Sequence, residues 1–215
     1  YAAKNAKEML RDFYRKGYNS WQKGVKGAPY AIAVPDGQGD RRRVSELIGR
    51  LLAHRIEVSR ATAAFKVAEG EFAAGTFVVR LDQPYRNYAV DLLLPQIFPT
   101  DAAYEPYDDV SWSLPVHYGL EAKRIDDAKI LGVPLTPVGQ DVEVHGAVSG
   151  AGPVFLLKDT GQEALLALRC RLASFRVEIA EKPFKSGTTE YPAGSWILAG
   201  QAGLAAALEK ASAEL

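Results

Sequence analysis

The chain repeats one of its segments, and this repeat limits the possible folds more than any other feature. Residues 65–80, FKVAEGEFAAGTFVVR, match residues 184–199, FKSGTTEYPAGSWILA, without a gap. Each copy predicts a hairpin with a glycine-containing turn, followed by Ala-Gly and a buried apolar strand. We therefore expect one structural unit to occur twice in the chain.

The similarity extends to the residues before each hairpin. Both copies are preceded by an apolar run, an amphipathic segment and a short second run, at 30–34, 44–52 and 56–58 in the first and at 154–157, 165–172 and 175–179 in the second. Apolar residues spaced by three and four predict helices, and short β-branched runs predict strands. A helix between two parallel strands requires a right-handed crossover. The predicted fold class is α/β, with two duplicated β-α-β plus hairpin units that form a mainly parallel sheet flanked by helices.

Three regions are predicted along the chain. Residues 1–29 form an N-terminal helix and connector, residues 30–148 form the first α/β unit with an aromatic loop and connecting strands, and residues 149–215 form a second, shorter α/β unit. The first helix is expected to run from Ala2 to about residue 16, with one apolar and one basic face, and to end where glycines begin. It is interpreted as the tail of a preceding domain or as a connector, because the chain starts without an initiator Met and is expected to be part of a longer protein.

Composition argues against two classes of partner. The 215 residues include 26 Lys+Arg and 26 Asp+Glu, so no net field attracts nucleic acid, and the basic run at 41–43 is interpreted as solvated surface. No apolar run approaches the length of about 18 residues that predicts a membrane span. The single cysteine, Cys170, lies among leucines and is predicted to be a buried structural thiol.

The turn at residues 35–40 is the first candidate ligand surface. It follows an apolar strand and precedes a helix, which is where ligands bind in doubly wound sheets. Gly37 and Gly39 match only part of a dinucleotide fingerprint. Asp36 or Asp40 is expected to cap the following helix, and both remain candidates for a ligand or interdomain surface.

The second candidate surface is a long aromatic loop. It contains Asp108, Asp109 and Trp112, which are interpreted either as capping and domain-packing residues or as a binding surface. No catalytic residue and no metal ligand are predicted. The pair His54 and Glu57 has the H-x-x-E spacing of a zinc motif but lacks a recognisable third ligand.

Three motifs carry a resemblance to a known family. They are Arg80-Leu-Asp-Gln-Pro-Tyr85, Tyr107-Asp-Asp-Val-Ser-Trp112-Ser-Leu114, and Glu181-Lys-Pro-Phe184 followed by Tyr191-Pro-Ala-Gly-Ser195. From about Asp12 to Leu215 the chain resembles the region C-terminal to the peptidase domain in large bacterial zinc carboxypeptidases of the carboxypeptidase A type. That region is itself similar to class I glutamine amidotransferases, although Cys170 does not lie on the strand-to-helix elbow that amidotransferase activity requires.

The resemblance implies that this part of the protein is not catalytic. It implies a non-catalytic accessory domain with no cofactor of its own, a peptidase domain of the same parent chain as partner and zinc carrier, and a periplasmic or secreted location. The alternative is a module that binds a peptide or small ligand in the crevice at the strand C-terminal ends, near 36–40 and 159–162. A third possibility, an enzyme in its own right, would place Asp108, Asp109 and Trp112 at its site.

Overall fold

A computed structural model describes residues 1–97, 100–101, 103, 112–139, 142, 144–150 and 152–215 of the chain. The chain divides into two compact units, Tyr1–Val142 and Glu143–Leu215, called unit 1 and unit 2 below.

Unit 1 contains a five-stranded antiparallel sheet with the strand order β6-β1-β5-β2-β7. The strands of unit 1, including a separate β3–β4 hairpin, are β1 (Ala31–Val34), β2 (Ser59–Ala61), β3 (Phe65–Val67), β4 (Gly70–Phe72), β5 (Phe77–Arg80), β6 (Lys123–Ile125) and β7 (Leu135–Pro137). Its helices are α1 (Ala2–Lys26), α2 (Arg41–Ala53), α3 (Arg86–Leu93) and α4 (Leu114–Tyr118), with a 3-10 helix at Ala128–Gly132.

The prediction of a mainly parallel sheet is wrong, because every strand pair among the described residues is antiparallel. β1 and β2 do run in the same direction, but β5 lies between them and pairs with both. After the β3–β4 hairpin the chain returns at Gly75, whose N–H donates to the Ala61 carbonyl at 2.8 Å. β5 therefore begins beside the end of β2 and runs back along it.

Both faces of the unit 1 sheet are covered. On one face, α2 packs its apolar stripe against the larger side chains of the central strands; the residues are Val44, Leu47, Ile48 and Leu51 of α2 with Ile32, Val34, Phe77 and Val79 of the sheet. On the other face, Ala31 and Ala33 leave room for Phe72 of the hairpin and for Ile125. The alternation of small and large residues along β1 thus assigns one face to the hairpin and the other to α2.

Unit 2 contains a three-stranded antiparallel sheet with the order β8-β12-β9. Its elements are β8 (Val154–Leu157), α5 (Ala164–Arg171), β9 (Glu178–Ile179), the hairpin β10 (Phe184–Ser186) and β11 (Thr189–Tyr191), β12 (Trp196–Ala199) and α6 (Leu204–Glu214). α5 turns Leu168 into the core, where it packs with Leu172, which follows the helix. The prediction that Cys170 is buried is wrong, because this thiol lies on the exposed side of α5.

The two units have the same order of elements and many of the same contacts. Strands β8, β12 and β9 are arranged as β1, β5 and β2 are in unit 1. The rings of Phe65 and Phe72 stack with centroids 5.0 Å apart, and those of Phe184 and Tyr191 also lie 5.0 Å apart. In both units a glutamine follows the central strand and bonds both backbone groups of one residue on another segment. Gln83 bonds the N–H and the carbonyl of Glu57, which precedes β2. Gln201 bonds the same two groups of Arg176, which precedes β9.

The units differ at the edges of their sheets. In unit 1 the three shared strands are flanked by β6 on one side and β7 on the other. Among the described residues of unit 2, no strand pairs with the outer side of β8 or of β9. These two strands are therefore the edges of the sheet.

Helix α1 is longer than the sequence predicts, because neither Gly17 nor Gly24 ends it. Gly24 is buried where α1 crosses the backbone that follows β5. The Oγ of Ser20 accepts a hydrogen bond at 3.2 Å from the N–H of Asn87 at the start of α3. Glycine weakens a helix on its own, but here it allows the close packing that fixes the second half of α1.

Candidate functional site

Asp36, predicted to lie at a ligand surface, is engaged in an ion-pair network. Its Oδ2 accepts a hydrogen bond from the Arg60 guanidinium at 2.6 Å and lies 3.4 Å from that of Arg41. The Arg60 guanidinium also lies over the Phe77 ring, 5.1 Å from its centroid. These contacts join the β1–α2 turn to β2, so Asp36 stabilises the fold at this position.

Asp40 caps α2, as the sequence predicts for one of the two aspartates. Its Oδ1 accepts a hydrogen bond from the Arg42 N–H at 3.0 Å, and only 8% of the residue is exposed. Its Oδ2 lies 3.9 Å from the Arg43 guanidinium. Both oxygens of this carboxylate therefore face groups at the first turn of α2.

The predicted site residues do not converge on one described surface. Asp108 and Asp109 lie outside the described residues. Trp112 is 46% exposed ahead of α4, and no hydrogen bond, ion pair or ring contact among the described residues joins it to Asp36 or Asp40. The expectation of a crevice at shared strand C-terminal ends also loses its basis, because neighbouring strands run in opposite directions.

An open groove in unit 1 lies between α1 and α3. Its volume is about 730 Å³, and its walls carry a group of aromatic residues and a proline: Phe13, Tyr14, Tyr18 and Trp21 on the α1 side, and Pro84, Tyr85 and Tyr88 on the α3 side. We call these seven residues the aromatic groove. The sequence did not predict that Tyr18 and Trp21 belong to this helix, because the predicted α1 ended near residue 16.

Helical spacing arranges the α1 wall of the aromatic groove. Tyr14, Tyr18 and Trp21 lie at i, i+4 and i+7, which places them on one face of the helix. The rings of Tyr14 and Tyr18 stack with centroids 6.2 Å apart, and Trp21 is tilted on Tyr18 at 5.7 Å. Ordered side by side, these rings form a continuous apolar surface. This i, i+4, i+7 spacing was the available signal in the sequence.

The first half of α1 extends the apolar surface of the aromatic groove, and no described residue covers this extension. From Ala2 to Lys16 every residue is exposed except Asn5, which is half-buried. Leu10 and Phe13 are each 70% exposed and Tyr14 is 69% exposed. Large apolar side chains that cluster on a surface in this way mark binding sites in soluble proteins.

Charge is concentrated on the same helix. α1 carries seven basic and two acidic residues, a net charge of +5, in a chain with a net charge of 0. The two acidic residues pair within the helix, Glu8 with Arg11 at 3.1 Å and Asp12 with Arg15 at 3.8 Å. Among the described helices, α1 included, none has the length and hydropathy of a membrane span.

Arg86 lies at the start of α3, beside the aromatic groove. Burial and, to a smaller extent, the charge of Arg124 lower the pKa of its guanidinium. Its Nε is buried and finds no hydrogen-bond partner among the described residues. A guanidinium stays protonated through the physiological range, so Arg86 keeps its positive charge close to that of Arg124.

The two residues of the H-x-x-E pair have structural partners. Nδ1 of His54 lies 3.3 Å from the Tyr88 hydroxyl, and the two rings meet edge to face. The backbone of Glu57 is bonded by Gln83. Among the described residues, no group of three or more His, Cys, Asp and Glu side chains is arranged to hold a metal ion.

The aromatic groove is lined mainly by tyrosine and tryptophan side chains and one phenylalanine. Tyrosine and tryptophan combine a large apolar area with a polar tip, and both are enriched at the centres of protein interfaces. A comparison with protein-family models, curated proteins and solved structures finds no match to this chain.

Proposed function

We propose that this chain is a non-catalytic accessory module of a bacterial zinc carboxypeptidase, and that α1 and the aromatic groove bind the peptidase domain of the same protein. The three sequence motifs around Arg80, Trp112 and Phe184 support the choice of family. The exposed aromatic face of α1 supports the mode of action, and it is the observation on which the proposal depends.

The energetics favour a covered α1. An isolated helix segment of about 15 residues is only marginally stable in water, and packing of an apolar face supplies most of the stability of helices in proteins. The first half of α1 has the apolar face but no described packing partner. A protein domain seated on Leu10, Phe13 and Tyr14 would supply that packing.

The proposed partner also accounts for the rim of the surface. Lysines and arginines surround the apolar face of α1. Arginine is enriched at interfaces, and a basic rim steers association towards acidic surfaces. We therefore expect the peptidase surface opposite α1 to carry carboxylates, and we expect complex formation to weaken with added salt.

The test measures binding between this chain and the peptidase domain encoded by the same gene by isothermal titration calorimetry. The double variant Phe13→Ala/Tyr14→Ala is expected to weaken binding at least about tenfold, as for residues at the centre of an interface. Leu166→Ala is the matched control, because Leu166 is 77% exposed on α5 and lies outside the proposed surface. A gene that encodes no peptidase domain, or a peptidase domain that does not bind, would contradict the proposal.

A second candidate function is a module that binds a peptide or a small ligand in the aromatic groove. The volume of about 730 Å³ favours it, because ligand sites in proteins have volumes of about 300–1,000 Å³. The two functions differ in how strongly they depend on the first half of α1. Phe13→Ala/Tyr14→Ala should impair domain association most, whereas Tyr85→Ala/Tyr88→Ala should impair ligand binding most.

A further inference from the structure

Unit 1 supplies a template for what the open sheet of unit 2 can bind. The N–H of Leu81 donates to the Tyr30 carbonyl at 2.8 Å, and the N–H of Gly200 donates to the Pro153 carbonyl at 2.7 Å. β8 therefore corresponds to β1. β1 pairs on its outer side with β6 in antiparallel register, whereas β8 has no described strand on that side.

The outer edge of β8 has hydrogen-bonding groups available. Neighbouring residues of an antiparallel strand point their backbone groups to opposite sides. Since Pro153 bonds towards β12, Phe155 and Leu157 do so as well, and Val154 and Leu156 point their N–H and carbonyl groups outwards. Val154 is also 46% exposed. Proteins usually protect an apolar edge strand with charges or a covering element, and β8 itself carries no charge.

A groove runs beside this edge. It has a volume of about 540 Å³ and is lined by β8, by Val148 on the segment before it, by Leu208 of α6 and by the side chains of Lys158 and Gln162. An edge strand next to a groove is the arrangement by which proteins bind extended peptides, since the backbone ladder provides affinity and the groove accepts side chains.

Gln162 matches a residue that holds the incoming strand in unit 1. There, Gln38 donates to the Pro35 carbonyl at 3.0 Å and clamps the backbone of Glu121, donating to its carbonyl at 2.8 Å and accepting from its N–H at 2.5 Å. Gln162 likewise donates to the carbonyl of Lys158 at 2.7 Å, while its Oε1 accepts from the Thr160 N–H at 2.7 Å, so an added strand would share that oxygen. Pro35 and Lys158 each directly follow the corresponding strand.

We propose that the open edge of β8 binds an extended peptide segment as an added antiparallel strand, with Gln162 holding the N-terminal end of that segment. The segment that fits has an acidic residue flanked by apolar residues, as Glu121 is flanked by Leu120 and Ala122 in unit 1. We expect an acidic residue in the segment because Lys158 can pair with it. Lys158 occupies the position of Pro35 in unit 1, and it has no ion pair among the described residues.

This proposal is independent of the proposed association with a peptidase domain, because it uses unit 2 and the groove beside β8, whereas that association uses α1. Either proposal can fail while the other holds.

The probe is a fluorescein-labelled peptide with the sequence of residues 119–126, GLEAKRID, capped at both ends and titrated with the whole chain in an anisotropy experiment. We expect saturable binding with a Kd below about 1 mM, the range of weak specific complexes. Leu156→Pro removes an outward N–H and should weaken binding at least tenfold. Ile179→Pro blocks the opposite edge of the same sheet and should leave binding unchanged.

Three further variants separate specific binding from a loss of folding. Gln162→Ala should weaken binding, whereas Gln38→Ala, which removes the corresponding clamp in unit 1, should not. Lys158→Glu should weaken binding severalfold and should recover it with a peptide that carries Lys in place of Glu.

Absence of saturable binding, equal binding by Leu156→Pro with a native circular dichroism spectrum, or failure of the charge swap would each overturn the proposal. Self-association of the chain that Leu156→Pro abolishes would also overturn it, in favour of a second copy at the same edge.

Discussion

Gly24 of α1 lies against the backbone of Leu81 so closely that a Cβ on Gly24 would fall 1.7 Å from the Leu81 carbonyl oxygen. Leu81 directly follows β5 and is fully buried. The end of the central strand of unit 1 and the second half of α1 are thus in direct backbone contact, and only glycine permits this distance.

Gly24→Ala is therefore expected to displace α1 and to destabilise unit 1. Overpacking of a tight contact costs about 1–3 kcal/mol, and contact with backbone places this case at the upper end. Urea unfolding measures the change. Gly49→Ala on α2 is the matched control, since no atom lies within 4 Å of the added Cβ, and it should raise the free energy of unfolding by about 0.5–1 kcal/mol. Equal effects of the two substitutions would contradict the proposed contact.

Gln83→Ala should destabilise unit 1 more than Gln201→Ala destabilises unit 2. The Gln83 side chain is 1% exposed, and it bonds both the N–H and the carbonyl of Glu57. Its loss leaves two partly buried backbone groups without this partner, at up to about 1–3 kcal/mol each where water cannot enter. Gln201 makes the same bonds to Arg176 in an exposed setting, where water replaces it. Unfolding midpoints of the two variants measure the difference.

The corresponding aromatic residues at the start of the central strands should carry much of the core stability. Phe77 is fully buried and Trp196 is 7% exposed. Substitution of either by alanine is expected to reduce the free energy of unfolding by about 3–5 kcal/mol, because truncation leaves a cavity. Leu166→Ala, on the exposed side of α5, should change it by less than about 0.5 kcal/mol. Chemical denaturation followed by tryptophan fluorescence tests both; an unchanged midpoint for Phe77→Ala would be incompatible with this core.

Asp127 should make the stability of unit 1 fall in acid. Its carboxylate accepts hydrogen bonds from the N–H groups of Lys129 at 2.9 Å and Ala68 at 3.0 Å. The bond from Lys129 is the largest cause that holds the pKa of Asp127 below its usual value of 3.8. A lowered folded-state pKa adds stability that is present above pH 3.8 and is lost as pH falls through the folded-state value.

The measurement compares wild type with Asp127→Asn by denaturation between about pH 3 and pH 6. Asparagine can keep the cap on the Lys129 N–H through its one amide oxygen, but it removes the charge and the acceptor for the Ala68 N–H. We expect wild type to be the more stable protein at pH 6, with a difference that shrinks below pH 4. A difference that stays constant with pH would exclude a role for the charge.

Local features of the fold were predictable from the sequence. The hairpin pattern before each Ala-Gly pair is confirmed by β3–β4 and β10–β11. The glycines of those pairs have positive φ angles, 91° at Gly75 and 92° at Gly194, as hairpin and turn chemistry demands. These features depend on a few adjacent residues, so they can be predicted from the local sequence.

The neighbours within the sheet were not predictable in the same way. The apolar run of β1 and the run at 56–58, which ends just before β2 (Ser59–Ala61), suit a parallel pair equally well. β1 and β2 do not pair because β5 lies between them. The hydrogen bond between Gly75 and Ala61 brings the chain back beside β2, where β5 begins. That contact depends on three-dimensional geometry and has no periodicity of its own.

The candidate site was missed for a related reason. Gly17 and Gly24 are helix-weakening residues in sequence, and their packing against Pro84 and Leu81 appears only in the fold. With α1 cut short, Tyr18 and Trp21 fell in a predicted loop, and their alignment with Tyr14 was lost. The prediction for Asp108 and Asp109 concerns residues outside the described ranges and stays a prediction.

The central position of β5 also determines how the sheet of unit 1 can be assembled during synthesis. β1 and β2 leave the ribosome first, yet neither can pair with the other, because the place between them belongs to a strand made later. Once β5 emerges, it joins both, and β6 and β7, which are made last, attach at the outside. β5 is therefore the first native partner that synthesis supplies to either strand, and a chain stalled before residue 77 contains β1 and β2 without any of their native neighbours.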